Sequence, residues 1–278
     1  MPSRRTFLRR VGGVAVVGSL LGGAAHRDVG FVRTKLGGNF GGDFDLESPD
    51  SDQFTLMDDA QFVPPDEFSS YADGTRSEYG DAALPWTDPE SLPGEFVGTY
   101  ARRVDVVPDR RFAVQDAAVL AHRLDEGRET VGGGTGDSDE TDSGDDGRDG
   151  ARYRLRLWST GRLLDRAYEV DPWGVYREDP AFTWLTHEVE TDRDGRLSTD
   201  RTLLSEGGSV TVADATVTVP GGEYRVGLED DTRYRTGWEG FYRGEIPLVG
   251  ACEVSFAEGE KHTLDWTVSN GVGIRTPY

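Results

Sequence analysis

The chain contains one cysteine, two methionines and two lysines in 278 residues. A single thiol forms no intramolecular disulfide, so the fold must rest on its core, on salt or on bound ions. That thiol, Cys252, ends the apolar run Pro247-Leu248-Val249-Gly250-Ala251-Cys252, which reads as a buried, inert position rather than a nucleophile. Basic residues number 30 against 51 acidic ones, and all but Lys35 and Lys261 are Arg. No basic stripe of the kind a phosphate backbone needs is present, which argues against a nucleic-acid partner. Beyond the first 25 residues no apolar run approaches the roughly 20 residues of a membrane span. The phosphate loop G-x-x-x-x-G-K-[ST], the G-x-S-x-G elbow, H-E-x-x-H and C-x-x-C are all missing. Four histidines (His26, His122, His187, His262) stand far apart, and two lie on segments that read as ordinary half-exposed strands, so a zinc site is not indicated.

What is present begins at the N-terminus. Ser3-Arg4-Arg5-Thr6-Phe7-Leu8-Arg9-Arg10 is followed by an apolar stretch from Val11 to Leu21 and the small residues Gly22-Gly23-Ala24-Ala25. This segment resembles a twin-arginine export signal, with Arg4, Arg5, Phe7 and Leu8 on its pattern and Arg9 where Lys is usual. The resemblance implies recognition by the twin-arginine machinery, cleavage near Ala25 and a mature chain outside the cytoplasmic membrane without a stable membrane span. A lipid anchor here would need a cysteine just after the apolar stretch, and Cys252 is far away.

The formal net charge is −21; residues 1–25 hold four Arg and no acid, so their removal takes it to −25. Self-repulsion of that size loosens a compact state in dilute buffer. At 1 M salt the Debye length is about 3 Å and most of the repulsion is screened. Carboxylate excess with almost no Lys resembles the composition of proteins from extreme halophiles. Hydrophobic residues make up only 36 % beside 37 Gly, so the 12 Phe, 10 Tyr and 6 Trp are expected to supply much of the core.

Residues 26–94 have little periodicity and many turn formers. Their scattered aromatics (Phe40, Phe44, Phe54, Phe62, Phe68, Tyr71, Tyr79, Trp86) suggest an irregular arm that docks by single anchors, with room for short strands. Alternation begins near Phe96. Phe112 to Leu124 fits a helix or a strand, with strand favoured. Residues 127–150 hold eight acids, two Arg and one apolar residue, Val131, and are expected to be disordered. If the flanking segments pair, this acidic loop is an expanded hairpin tip rather than a domain boundary. Hairpin-like units follow: Tyr153–Trp158 turning at Ser159-Thr160-Gly161, Trp184–Glu190 turning at Asp192-Arg193-Asp194-Gly195, and Ser209–Val212 turning at Ala213-Asp214. In Arg152-Tyr153-Arg154-Leu155-Arg156 the arginines read as a solvated face opposite a core face. The expected fold is mainly β, an antiparallel sandwich or barrel-like domain over 95–278 with the arm laid across it.

Two segments offer candidate sites. Trp238-Glu239-Gly240-Phe241-Tyr242 sets rings beside a carboxylate, as a sugar-binding β face does and as an aromatic core also does. Glu190-Thr191-Asp192-Arg193-Asp194-Gly195 resembles part of an EF-hand-type calcium loop, with Glu190, Asp192 and Asp194 as ligands. Position twelve, where that loop needs a bidentate acid, is Arg201, and a plain Asp-Gly turn explains the segment as well. No cofactor is expected beyond this structural Ca2+. The functional expectation is an exported, non-enzymatic binding or surface-associated β domain of unknown ligand, the alternative being a secreted carboxylate-based hydrolase acting on polysaccharide.

Overall fold

The computed structural model describes residues 31–47, 49, 60–105, 113–124, 150–164, 179–191 and 195–277. In chain order its strands are β1 (Phe31–Asp45), β2 (Ala60–Val63), β3 (Glu95–Asp105), β4 (Ala113–Leu124), β5 (Arg152–Leu163), β6 (Asp179–Thr191) and β7 (Gly195–Ser198). They continue with β8 (Leu203–Ser205), β9 (Gly208–Val212), β10 (Ala215–Val219), β11 (Gly222–Leu228), β12 (Arg233–Tyr242), β13 (Ile246–Phe256) and β14 (Thr263–Pro277). One helix, α1 (Phe68–Tyr79), precedes β3.

The strands form two antiparallel six-stranded sheets and a two-stranded hairpin. The first sheet has the order β1-β14-β6-β12-β11-β8 and the second β2-β3-β4-β5-β13-β7. The sheets face each other across a core that includes Tyr100, Leu155, Leu157, Val189, Trp266 and Val268, all fully buried. Polar side chains bridge the layers by bonding backbone groups of the opposite sheet. Tyr224 Oη donates to the Val249 carbonyl at 2.7 Å, the Ala251 N–H donates to Tyr234 Oη at 2.8 Å, and Gln115 Nε2 donates to the Thr186 carbonyl at 3.3 Å.

The second sheet is also covered on its other face, which explains why β4 and β5 are buried at nearly every position instead of alternating. Here α1 lays down Phe68, Ala72, Thr75 and Tyr79, residues at helical spacing on one side. The helix ends at Gly80, whose φ of +52° suits glycine. Leu84 and Trp86 follow it into the layer, and the β9–β10 hairpin closes it with Val210, Val212, Val217 and Val219. That hairpin turns at Ala213 and Asp214, both at positive φ as a type I′ turn requires. Trp86 Nε1 donates to the Ala213 carbonyl at 3.1 Å and ties the two parts of the layer together.

The arm of residues 26–94 docks through its aromatics: Phe44, Phe68, Tyr79 and Trp86 are buried, and Phe62 and Tyr71 pack against the core. It also carries ordered elements, since β1 forms an edge of the first sheet, β2 an edge of the second, and α1 lies between β2 and β3. Phe112–Leu124 forms the strand β4 from Ala113 onward. Leu124 pairs with Arg152, so the acidic run connects two paired strands; residues 125–149 lie outside the described part.

Two expected turns are corrected. Ser159-Thr160-Gly161 is not a turn, because β5 runs straight through it. Gly161 is there for close approach: a Cβ would sit 2.4 Å from Leu185 Cδ2 and 2.9 Å from the Phe182 ring of the opposite sheet. The segment ending at Gly195 is not a hairpin between neighbours, because β6 belongs to the first sheet and β7 pairs with β13 in the second. It is a link between layers.

Burial also corrects the expected surfaces. Arg154 is partly exposed and bonds Glu253, but Arg156 is only 2 % exposed, on the face over which the β9–β10 hairpin packs. His122 and His187 are fully buried rather than half-exposed. Cys252 is buried as read, and burial pushes its thiol pKa up, away from reactivity. Among the described residues no helix is long and apolar enough to cross a membrane.

Candidate functional site

Alternation along β6 fixes what the first sheet shows to the outside. Leu185, His187 and Val189 point into the sandwich, so Trp184, Thr186, Glu188 and Glu190 point away from it. Register then places Glu239, Gly237, Arg235 and Arg233 of β12 beside them, and Glu223, Arg225 and Gly227 of β11 beyond. Leu204 of β8, paired with Arg225, completes the row and is 64 % exposed.

A groove of about 640 Å³ crosses this face, within the usual range for a ligand site. Trp184, Thr186, Leu204, Glu223, Arg225, Gly227, Glu229, Arg235, Gly237 and Glu239 line it. Gly237 is part of its floor, where a Cβ would meet nothing closer than 3.4 Å. Trp184 is half-buried, and its cross-strand neighbour on the β14 side is Gly271. A Cβ at Gly271 would lie 2.2 Å from Trp184 Nε1, 2.4 Å from Cε2 and 2.9 Å from Cδ1. Those three atoms belong to the five-membered ring, so the indole lies flat on the glycine backbone.

The charged walls are largely paired. Arg235 holds Glu188 and Glu229, each at 3.1 Å, and Arg233 holds Glu190 at 2.8 Å and Glu229 at 3.7 Å. Arg225 Nε donates to Glu223 at 2.5 Å. Burial raises the Glu188 pKa, and Glu229 and Glu190 add to the rise while Arg235 opposes it. Glu239 stands directly opposite Glu223 and beside Trp184, so the row β6–β12–β11 reads ring, carboxylate, carboxylate.

The aromatic cluster read from the sequence is divided by the fold. Glu239 is exposed in the groove. Trp238 is 2 % exposed; its ring crowds the Cβ positions of Gly222 and Gly240, and its N–H donates to the Pro220 carbonyl at 3.3 Å. It packs at the groove edge and, with Glu239, contributes to the lining. The register of β12 shifts between Glu239 and Tyr242, and beyond that shift Phe241 and Tyr242 are 52 % and 40 % exposed at the end of the strand. The groove lining does not include them. Trp184 was not singled out in the sequence, although its alternation with Leu185, His187 and Val189 was the available signal.

Of the calcium-loop candidates, Glu190 is engaged by Arg233, and Asp192 and Asp194 lie outside the described residues. Among the described residues no three His, Cys, Asp or Glu side chains gather as a metal site. The export-signal residues Arg4, Arg5, Phe7 and Leu8 also lie outside the described part.

A second cavity, about 440 Å³, lies between α1 and the second sheet. Asp116 accepts from the Tyr79 hydroxyl and from Arg103 Nε and Nη2, each of the latter at 2.7 Å. Glu78 of the helix bonds Arg103 at 2.8 Å and also Arg162, whose guanidinium lies over the Tyr79 ring. Burial and the adjacent Asp116 raise the Tyr79 pKa, which keeps the phenol a hydrogen-bond donor. Each charge is matched within the cluster, so it serves as a clamp holding α1 to β3, β4 and β5. Comparison with known proteins finds no matching family model and no matching curated sequence.

Proposed function

We propose that this protein is an exported, non-enzymatic binding domain that works in concentrated salt and holds its ligand in the groove across the first sheet. The observation that carries this reading is the state of the groove's acids. Glu223 and Glu229 are tied to arginines, which leaves Glu239 as the groove carboxylate without an ion pair among the described residues. A surface of paired charges around a fixed ring is suited to hydrogen bonding and shape recognition. Carboxylate-based glycoside hydrolysis needs two working carboxyls about 5–10 Å apart, one of them a proton donor.

The hydrolase reading retains one supporting feature. Glu239 and Glu223 are direct cross-strand neighbours, and like charges so placed are unfavourable unless something uses them. Incubating the mature chain with polysaccharides in molar salt separates the two readings. Binding without turnover is expected; hydrolysis abolished by Glu239→Gln would replace the binding reading.

Export and halophily are carried by the N-terminal segment and the charge of −21. The twin-arginine machinery is the proposed partner, and the envelope or the medium the proposed location. Fractionation of a salt-adapted host should find the product outside with its new N-terminus near His26. Replacing both Arg4 and Arg5 by Lys should retain it inside.

A further inference from the structure

We infer that the ligand of this groove is a neutral glycan, one pyranose ring of which stacks on Trp184. The inference rests on the binding reading above and adds the ligand class.

The first argument is the pose of the ring. One indole face is seated on Gly271, on the β14 side of β6, and the ring forms the β6 end of the groove that Trp184 helps to line. An aromatic face is the negative side of the ring quadrupole. The axial C–H face of a pyranose is flat, weakly positive and apolar, and it matches such a platform over its whole area. The second argument is the walls. Arg225, Arg235 and Glu239 offer donors and acceptors at the sides of the platform, which is where the equatorial hydroxyls of a stacked sugar point. From Trp184 on β6 to Leu204 on β8 the groove crosses three strand spacings, about 14 Å, which suits a short run of sugars better than one.

Charge and backbone exclude the competing classes. The lining carries Glu223, Glu229 and Glu239 against Arg225 and Arg235, a surplus of one negative charge on a chain already at −21. Uronate, sulfated and nucleic-acid chains find no net positive charge in this lining to select them. Extended peptides are captured mainly by free backbone groups at a sheet edge. This groove lies on the face of β6, β12 and β11, whose backbones are paired on both sides.

The test is titration of the mature chain in molar NaCl, by calorimetry and tryptophan fluorescence. The probes are maltohexaose, cellohexaose, xylohexaose, mannohexaose, polygalacturonate and an unstructured peptide mixture. At least one neutral hexasaccharide should bind and shift the fluorescence. Trp184→Ala should weaken it at least tenfold in a chain that still melts cooperatively, and Trp184→Phe should keep part of the affinity. If no neutral glycan binds, the glycan assignment is overturned. Polygalacturonate or peptide binding that is lost in Trp184→Ala would then preserve the groove as a binding site. If no probe responds to Trp184→Ala, the groove reading falls as well.

Discussion

Trp184 and Gly271 are cross-strand neighbours on the outside of the first sheet, and the indole occupies the space a side chain at 271 would need. Gly271→Ala would place a methyl 2.2 Å from Nε1, so the ring must swing off the sheet. Because Trp184 is half-buried, it can move toward solvent, and the expected loss of stability is about 1–3 kcal/mol, as for other overpacked sites. Near-UV circular dichroism should change. Gly237→Ala is the control: its Cβ makes ordinary contact at 3.4 Å, and the change should be neutral or stabilising by up to about 1 kcal/mol. An unaltered near-UV spectrum for Gly271→Ala would mean that the ring does not rest there.

The buried histidines predict acid sensitivity. Trp266 Nε1 donates to His187 Nε2 at 2.8 Å, which requires that nitrogen to be unprotonated. Burial lowers the His187 pKa to about 3 and the His122 pKa to about 4, from an ordinary 6.5. Between pH 6.5 and these values the unfolded chain binds protons that the folded chain refuses, so stability falls as pH falls through that window. His122 alone accounts for about 3 kcal/mol across it. Denaturant titrations at pH 7, 5.5 and 4 should show the loss, and His122→Gln should flatten it; equal slopes for both proteins would refute the assignment.

The Asp116 clamp predicts coupled energetics. Asp116→Ala removes the acceptor of the Tyr79 hydroxyl and of both Arg103 bonds and should cost about 2–4 kcal/mol. Arg103→Met removes two of the same bonds. The double variant should therefore lose less than the sum of the singles by at least about 0.5 kcal/mol. Additive losses in urea would show that the groups do not act together.

Arg156 predicts a gain. Its Nε and Nη1 are buried without a hydrogen-bond partner, and burial, with Arg154 adding, lowers its pKa to about 10 while Asp214 opposes the fall. Leu120 and Ala251 flank it on the sheet. Arg156→Met keeps the volume and removes an uncompensated charge, so it should leave stability equal or raise it by up to about 4 kcal/mol. A lower melting temperature for Arg156→Met would show that the guanidinium is stabilising where it stands.

The acid surplus predicts salt dependence. From 0.1 M to 2 M KCl the repulsion behind a charge of −21 is progressively screened, and the melting temperature should rise. The ladder of Glu188, Arg235, Glu229, Arg233 and Glu190 is partly exposed and contributes little enough that screening it does not reverse the trend. A flat or falling curve would remove the halophilic reading.

Much of the fold was legible because strands carry a local signal. The β9–β10 turn could be placed from Ala213-Asp214 between two alternating runs, whereas Phe112–Leu124 fitted helix or strand because β4 is buried on both faces. Where a motif has two physical uses, the sequence misled. Gly161 resembles a turn glycine but is a contact point between sheets, and the Asp-Gly before β7 links layers instead of neighbours. The site was less legible still. Trp238 and Trp184 are equally aromatic, and only the alternation of Trp184 with Leu185, His187 and Val189 hinted that it is the one on the outer face.

Composition and alternation by themselves determined a β chain without disulfides, an economical aromatic core and an acid-rich surface, because these depend only on residue type and spacing of two. The pairing of β1 with β14 across more than 200 residues, the second layer over β4 and β5, and the seat of Trp184 on Gly271 were decided only in three dimensions. Register and the choice of inner face come from contacts distant in sequence, and a shift of one residue would exchange the groove for the core.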